Sequence, residues 1–474
     1  MKILLISANR QISPYPVYPL GLDYVAGAIA DKHQVRIFDL LAASRDELGS
    51  LIADFVPDVI GVSCRNIDNT DYTAPMSFWT EYKELVAWLR ARATQPQATQ
   101  SRAVIVLGGC GFTMMPEVFL RETGADFGVV GEGERFALLL DALVAGRDPA
   151  ACEGVIAPGK ELAPPPPWLG MTRRRFMPHD GQRQYYLNHG GMLNLQTKRG
   201  CAFRCSYCSY PRIEGGRHRL FDPAAVASEA KRLETAGAKY LFFTDSAFNS
   251  DIVHSLAVAQ ALCQEKLSIP WGAFFAPLHL PAGYFAAMRA AGCRHIEFGS
   301  ESLSDTMLLS YRKPFSTADV FVAHEQALAA GLRVAHYFLF GGVGESRQTL
   351  VETLDNLKKL QRTVFFLFTG VRVYPGTALY DAAVAANQVT AGDSLPEPVF
   401  YQPETIGLEE IAAFVRERAA GKSNWLSGSG SGAGGSTGSF AGDSAGGSGD
   451  LQEEITAKLY ARGFTGPLWE FLIQ

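Results

Sequence analysis

Three cysteines, Cys201, Cys205 and Cys208, fall in one short run. Residues 197–211 read Thr-Lys-Arg-Gly-Cys-Ala-Phe-Arg-Cys-Ser-Tyr-Cys-Ser-Tyr-Pro, a Cys-x3-Cys-x2-Cys spacing. Thiolates this close can ligate three irons of a four-iron four-sulfur cluster. A fourth thiolate is missing nearby, so one iron stays open to a small molecule. An open coordination position marks catalysis rather than structure. Tyr207, directly before the third cysteine, is placed to shield the cluster or touch a ligand. The bland alternative is a zinc knuckle, which wants a fourth Cys or His at short range. The nearest histidines, His189 and His218, lack finger-like spacing. A redox disulfide would use two thiols, not three.

The motif resembles the signature of the radical S-adenosylmethionine (SAM) superfamily. The resemblance implies that the open iron chelates the amino and carboxylate groups of SAM. An electron from the cluster then cleaves SAM to methionine and a 5'-deoxyadenosyl radical, which takes hydrogen from an unactivated carbon. Residues 244–249, Thr-Asp-Ser-Ala-Phe-Asn, replace the Gly-Gly-Glu of many members. They are similar to the Asp-x-x-Phe-Asn of the cobalamin-fused branch, which implies SAM contacts at Asp245 and Asn249. Glu301 and Ser302 match the position that meets the SAM ribose or carboxylate, and a carboxylate suits ribose hydroxyls as an acceptor. Residues 341–346, Gly-Gly-Val-Gly-Glu-Ser, resemble the family's Gly-x-Pro-Gly-Glu-Thr with Val343 replacing proline. The stretch Tyr374–Thr377 resembles the adenine-side loop. Arg372 reads as a partner for a SAM carboxylate or a substrate anion, or equally as a structural arginine.

These residues need a scaffold, and the pattern around them is strand-helix alternation. In the first part, strands are expected over 2–8, 35–40, 58–64, 103–109 and 126–131, with helices over 21–30, 76–93 and 135–145. Continuous apolar strands separated by helices imply a parallel sheet covered on both faces. A flavodoxin-like doubly wound (Rossmann-type) α/β domain fits, and its ligands bind at the carboxyl ends of the strands. The loops at those ends resemble the cobalamin-binding domain fused to one class of radical SAM enzymes. They hold a Pro-Leu-Gly-Leu start to the first helix at residues 19–22, a Gly-Gly…Pro-Glu loop from 108 to 117 and a Gly-Glu-Gly-Glu turn at 131–134. The resemblance implies cobalamin contacts at Pro19, Gly21, Ser63, Arg65, Asn66, Gly108, Gly109, Gly131, Glu132 and Gly133. His33 is the single histidine of the first hundred and fifty residues, and it precedes strand two at the wrong edge. Cobalamin is therefore expected without a protein histidine on cobalt, with Arg65 or Asn66 facing its lower side. The alternative for these two is a surface arginine and a loop-capping asparagine.

From 192 to about 375 the alternation resumes, with strands expected over 193–198, 240–244, 271–275, 295–299, 334–340 and 364–373. Helices over 223–236, 253–266, 283–291 and 347–360 lie between them. This matches the partial (βα)6 barrel of radical SAM proteins, whose active face is again the carboxyl end of the strands. The expected division is a cobalamin-binding domain over 1–150, a linker over 151–190, the barrel over 191–380 and a C-terminal region over 381–474. Within the linker, Arg173–Arg175 reads as a solvated basic run. The C-terminal region carries a Gly/Ser-rich flexible insert over 427–449 and an amphipathic helix after Leu451.

The chain has 474 residues and a formal charge of -5, which argues against nucleic acid as a partner. No apolar run approaches the length of a membrane span. The N-terminus lacks a signal-peptide cleavage region. Cys64, Cys110, Cys152, Cys263 and Cys293 stand singly and read as buried small hydrophobes. Together these features predict a cytoplasmic protein. The expected activity is a cobalamin-dependent radical SAM methyltransferase acting on a small or lipid-like substrate, reduced by an external flavodoxin- or ferredoxin-type donor. The C-terminal Gly-Pro-Leu-Trp-Glu of residues 466–470 is similar to the branch associated with lipid biosynthesis. A radical cyclase or rearrangement enzyme and a cobalamin sensor are the alternatives.

Overall fold

Apolar stretches buried on both faces become the parallel strands of two sheets. The computed structural model describes residues 1–11, 16–93, 102–160, 165–170, 173–176, 181–427 and 458–473. Strands β1 (Lys2–Ser7), β2 (Gln34–Asp39), β3 (Val59–Ser63), β4 (Val104–Gly108), β5 (Phe127–Val129) and β6 (Val155–Ile156) form the first sheet, in the order β2-β1-β3-β4-β5-β6. All its pairs are parallel except β5–β6. Ser7 pairs with Ser63 and Ser63 with Gly108, so three carboxyl ends stand level. The chain runs outward in both directions from β1 and β3, which opens a crevice at their ends. Helices Leu20–Ile29 and Phe136–Val144 cover one face of the sheet. Arg45–Phe55 and Trp79–Arg92 cover the other. A Ser44–Glu47 capping box starts Arg45–Phe55, a helix that period reading did not single out.

The second sheet begins with β7 (Met192–Leu195). A short antiparallel pair, β8 (Lys198–Arg199) with β9 (Arg219–Leu220), then brackets the cysteine loop. Strands β10 (Tyr240–Phe243), β11 (Trp271–Phe275), β12 (Cys293–Glu301), β13 (Arg333–Phe340), β14 (Thr363–Thr369) and β15 (Trp425–Ser427) continue the sheet, all parallel. The outer faces of these strands pack on helices through two large apolar clusters. The inner faces of β13 and β14 meet Leu426 and Trp469.

Two expected boundaries fall inside these sheets. The stretch expected as a linker donates β6 to the first sheet. The region expected as C-terminal returns helix Leu408–Ala419 and strand β15 to the barrel. Strands β6 and β15 are too short for periodicity to show. Residues 428–449 of the Gly/Ser-rich insert, and most of the helix expected after Leu451, lie outside the described residues. Arg174 is not solvated as expected. It is buried and meets Asp23 at 2.6 Å and the Asn194 carbonyl at 2.7 Å, which joins the two domains.

Candidate active site

Two cavities, each about 340 Å³, open between and within the domains, and both are lined by Tyr210. The first lies where the level ends of β1, β3 and β4 face the barrel. Pro19, Gly21, Ser63, Arg65, Gly108, Gly109, Gly131, Glu132 and Gly133 line it from the first domain; Gln196, Arg199 and Glu214 line it from the barrel. At Gly109 the backbone requires glycine. Gly109 has φ of 98°, and a Cβ there would sit 2.8 Å from the Cys64 carbonyl oxygen. A Cβ on Gly21 would meet nothing within 4 Å, because that side faces the cavity. This is a backbone cradle for a large flat ligand, and it fits a corrin. Among the described residues, no histidine lines it.

Asn66 is not among the lining residues; its carbonyl accepts from the Tyr82 hydroxyl at 2.7 Å. Glu132 lines the cavity but is committed to Arg135 at 2.8 Å and to Arg219. Arg199 pairs with buried Glu134 at 2.8 Å. These ion pairs clamp the β8–β9 ladder onto the first domain. Cys110 and Cys263 are exposed rather than buried as expected, and Cys110 faces this cavity. The residue opens a short helix at the end of β4, so its side chain follows the loop and not the core.

The second cavity lies at the carboxyl end of the barrel. Cys201, Cys205, Cys208, Tyr207, Glu301, Arg372 and Tyr374 line it, together with Lys313 and Tyr337. The Tyr210 backbone N–H donates to Cys208 Sγ at 3.4 Å. Burial pushes the Cys208 thiol up to about 12 and the Cys205 thiol upward, so iron binding must displace protons. A cluster that gives one iron to each thiol asks that all three face one cavity, as Cys201, Cys205 and Cys208 do. The β12–β13 register shifts between Gly299 and Glu301, and Glu301 has φ of 63°. This irregularity re-aims the carboxylate into the cavity. Glu301 Oε1 meets Lys313 Nζ at 3.1 Å. Burial alone would lower Lys313; Glu301 and Cys205 hold it above the ordinary lysine value.

Four residues expected at SAM also make buried contacts within the protein. Asp245 is 1 % exposed and absent from the cavity wall. It takes the Thr197 N–H at 2.8 Å and Lys198 Nζ at 2.9 Å, which ties the end of β7 to the end of β10. Asn249 donates to the Ala276 carbonyl at 2.7 Å and accepts from the Ala276 N–H at 2.8 Å. Ser302 bonds Thr353 at 2.9 Å and caps the Ser304 N–H at 3.1 Å. Arg372 Nε donates to Asp68 at 2.8 Å, and its Nη atoms donate to the carbonyls of Val373 and Leu395. These bonds hold the loop after β3 against the barrel, the structural role named as its alternative, while the side chain also lines the cavity. Each motif marks a strand end, but tertiary neighbours decide which way its side chain turns. Lys313, Tyr210, Glu297 and Tyr337 were not singled out from sequence. Lys313 sits in an Arg-Lys-Pro stretch that matches no motif, and the others look like ordinary strand or loop residues.

Comparison with known proteins agrees with this architecture. Residues 195–357 match the radical SAM superfamily, and residues 8–140 match the B12 binding domain. An uncharacterized methyltransferase of Pyrococcus horikoshii is 28% identical over 407 residues, covering 82% of this chain and 84% of that protein. The tryptophan 2-C-methyltransferase of Streptomyces laurentii is 24% identical over 446 residues, covering 79% of this chain and 73% of that one. The fold is similar to the radical SAM methyltransferase TsrM from Kitasatospora setae, solved with tryptophan and a SAM analogue. That likeness has a TM-score of 0.81 at 21% identity and covers 99% of this chain and 97% of the other.

Proposed function

We infer, from the premise that this chain belongs to the radical SAM enzymes that carry a cobalamin-binding domain, that it is a methyltransferase acting on an unactivated carbon. The observation that carries this reading is the pair of cavities meeting at Tyr210, a thiol-lined one and a glycine-lined one. When bound, the cluster and SAM supply a 5'-deoxyadenosyl radical and cobalamin supplies a methyl carrier. Cys201, Cys205 and Cys208 hold the cluster in this reading, and the glycine loops with Ser63 and Arg65 hold the corrin. Lys313 offers a positive charge to the SAM carboxylate, and Glu301 offers an acceptor to its hydroxyls. Phe274, Phe275, Leu339 and Phe368 line the second cavity and keep water away from a reactive carbon. Those apolar walls favour an apolar, small or lipid-like substrate. A flavodoxin- or ferredoxin-type donor supplies the electron, and the cytoplasm is the compartment proposed. No helix among the described residues is long and apolar enough to cross a membrane.

The test uses anaerobically reconstituted protein with hydroxocobalamin, reductant and methyl-labelled SAM. Label on the protein-bound corrinoid with release of S-adenosylhomocysteine is the expected result. Bound cobalamin that stays unlabelled while 5'-deoxyadenosine accumulates would replace methyl transfer with cyclisation or rearrangement. Cobalamin binding with no SAM turnover would leave a sensor.

A further inference from the structure

The loop that carries the three cysteines also turns a face to solvent. Ala202 and Arg204, which stand between the cysteines, are exposed, while Cys201 and Ser206 are buried. The Ser206 N–H donates to the Tyr311 carbonyl at 3.1 Å, which ties the loop to the end of helix Asp305–Ser310. That helix stops through Arg312, whose N–H donates to the Leu309 carbonyl at 2.9 Å and whose φ is 57°. A helix end of this kind favours glycine, so an arginine there carries backbone strain that glycine would avoid. Its side chain is exposed, and so is that of Leu309, at 80 %. On the other flank, the Cys201 N–H donates to the Gly215 carbonyl at 3.1 Å. The Arg217 carbonyl packs so closely there that a Cβ on Gly200 would meet it at 2.1 Å. Arg217 is exposed as well.

Exposed arginines thus flank the cysteine loop on both sides, and among the described residues Arg204, Arg217 and Arg312 form no ion pair. The carboxylates of the neighbouring elements face other groups. Glu301 turns inward to Lys313 at 3.1 Å, Asp305 takes the Thr317 N–H at 2.7 Å, and Asp251 takes the His254 N–H at 2.9 Å. In a chain with a formal charge of -5, this is a local excess of unpaired positive charge. Unpaired cations beside an exposed leucine suit an acidic protein with an apolar contact point. The loop is also where solvent comes within one residue of Cys201 and Cys205, so a carrier docked here stands next to the thiols. We propose that Arg204 and Arg312 beside Leu309, with Arg217 across the loop, form the docking surface for a flavodoxin, an acidic protein whose flavin presents an apolar edge. The anionic flavin hydroquinone gives up one electron and becomes the neutral semiquinone. A cluster on Cys201, Cys205 and Cys208 takes that electron, and no proton moves. The proposal rests on reading these thiols as cluster ligands. Positive charge around the loop raises the rate of encounter with an acidic carrier, and salt removes the gain.

The probe is a purified bacterial flavodoxin. Binding of its oxidised form to the reconstituted holoenzyme is measured by interferometry. Its hydroquinone form is then mixed with the holoenzyme while the cluster absorbance is followed. Arg204→Glu, Arg217→Glu and Arg312→Glu should each weaken binding and slow reduction about tenfold at low ionic strength. The difference should vanish near about 1 M salt, where the screening length is about 3 Å. Reduced methyl viologen, a small cation, should reduce the three variants no more slowly than wild type. Lys160→Glu, the same change of charge on the first domain, should alter neither binding nor rate. Wild type that does not bind flavodoxin, variants that bind as wild type does, or equal slowing with flavodoxin and methyl viologen would overturn the proposal. A charge-dependent response to a ferredoxin with none to flavodoxin would overturn it in favour of that carrier. If Arg204→Glu fails to hold iron, Arg217→Glu and Arg312→Glu decide by the same measures. Iron analysis and labelling of the corrinoid by methyl-labelled SAM judge the other readings separately. Charge-dependent binding in wild type that holds iron but transfers no methyl keeps the docking surface and removes only the methyltransferase reading.

Discussion

The Asp68–Arg372 pair joins the two domains at a point where the loop after β3, which carries Arg65, leaves the first sheet. Both side chains are almost fully buried, 0 % and 2 % exposed, and they meet at 2.8 Å. Asp68 also caps the Thr70 N–H at 2.9 Å. Asp68→Ala would leave the guanidinium with its two carbonyl partners but no counter-charge. Stranding one partner of a buried pair costs about 3–5 kcal/mol, and the retained carbonyl bonds place this case near 3 kcal/mol. The double variant Asp68→Ala with Arg372→Met removes the stranded charge and fills its path with apolar stem. It should recover about 2 kcal/mol relative to the sum of the two single costs. Urea unfolding of the four proteins, followed by tryptophan fluorescence, closes the cycle. Asp68→Ala should also weaken cobalamin binding, read by equilibrium dialysis, because the β3 loop is no longer pinned to the barrel. Strictly additive single costs, or a loss under about 1 kcal/mol for Asp68→Ala, would show that the pair does not hold the domains together.

Other outcomes follow from the same geometry. His336 and His324 form a buried chain, with the Ser300 hydroxyl 2.8 Å from His336 Nδ1, His336 Nε2 3.0 Å from His324 Nδ1, and His324 Nε2 3.1 Å from the Gln361 carbonyl. Burial lowers both imidazoles below the usual histidine value. The unfolded chain therefore binds more protons in acid, and the stability these rings contribute is present above about pH 6.5 and lost as pH falls below it. His324→Gln should flatten the fall in Tm between pH 7.5 and 5.5, and an unchanged slope would refute the assignment. Gly272→Ala drives a Cβ into the His295 ring and should cost about 1–3 kcal/mol, read as a lowered urea midpoint. Gly109→Val combines a φ of 98° with a contact to the Cys64 carbonyl. It should weaken cobalamin binding at least about tenfold by dialysis, given about 1–3 kcal/mol of backbone strain. Cys208→Ala should lower reconstituted iron and abolish 5'-deoxyadenosine formation, as read by iron analysis and chromatography; full iron retention would exclude Cys208 as a ligand.

Local information was enough for the thiol loop and for the strand-helix alternation of both domains. Cys201, Cys205 and Cys208 lie within one loop, so their spacing alone brings them together, and apolar strands report their own burial. The glycine loops at the ends of β1, β4 and β5 were legible for a similar reason: parallel register places all strand ends on one edge. Side-chain direction was not legible. Asp245, Asn249, Ser302 and Arg372 stand at strand ends where ligands bind, yet each also meets a partner that no sequence distance reveals: Lys198, Ala276, Thr353 and Asp68. The bond from Trp469 to Glu297 depends on a segment arriving from 172 residues further along the chain. Spacing in the sequence determines which groups share a loop or a strand edge. Only tertiary packing decides which of their hydrogen bonds are already spent, because a buried polar group must take the nearest partner the fold supplies.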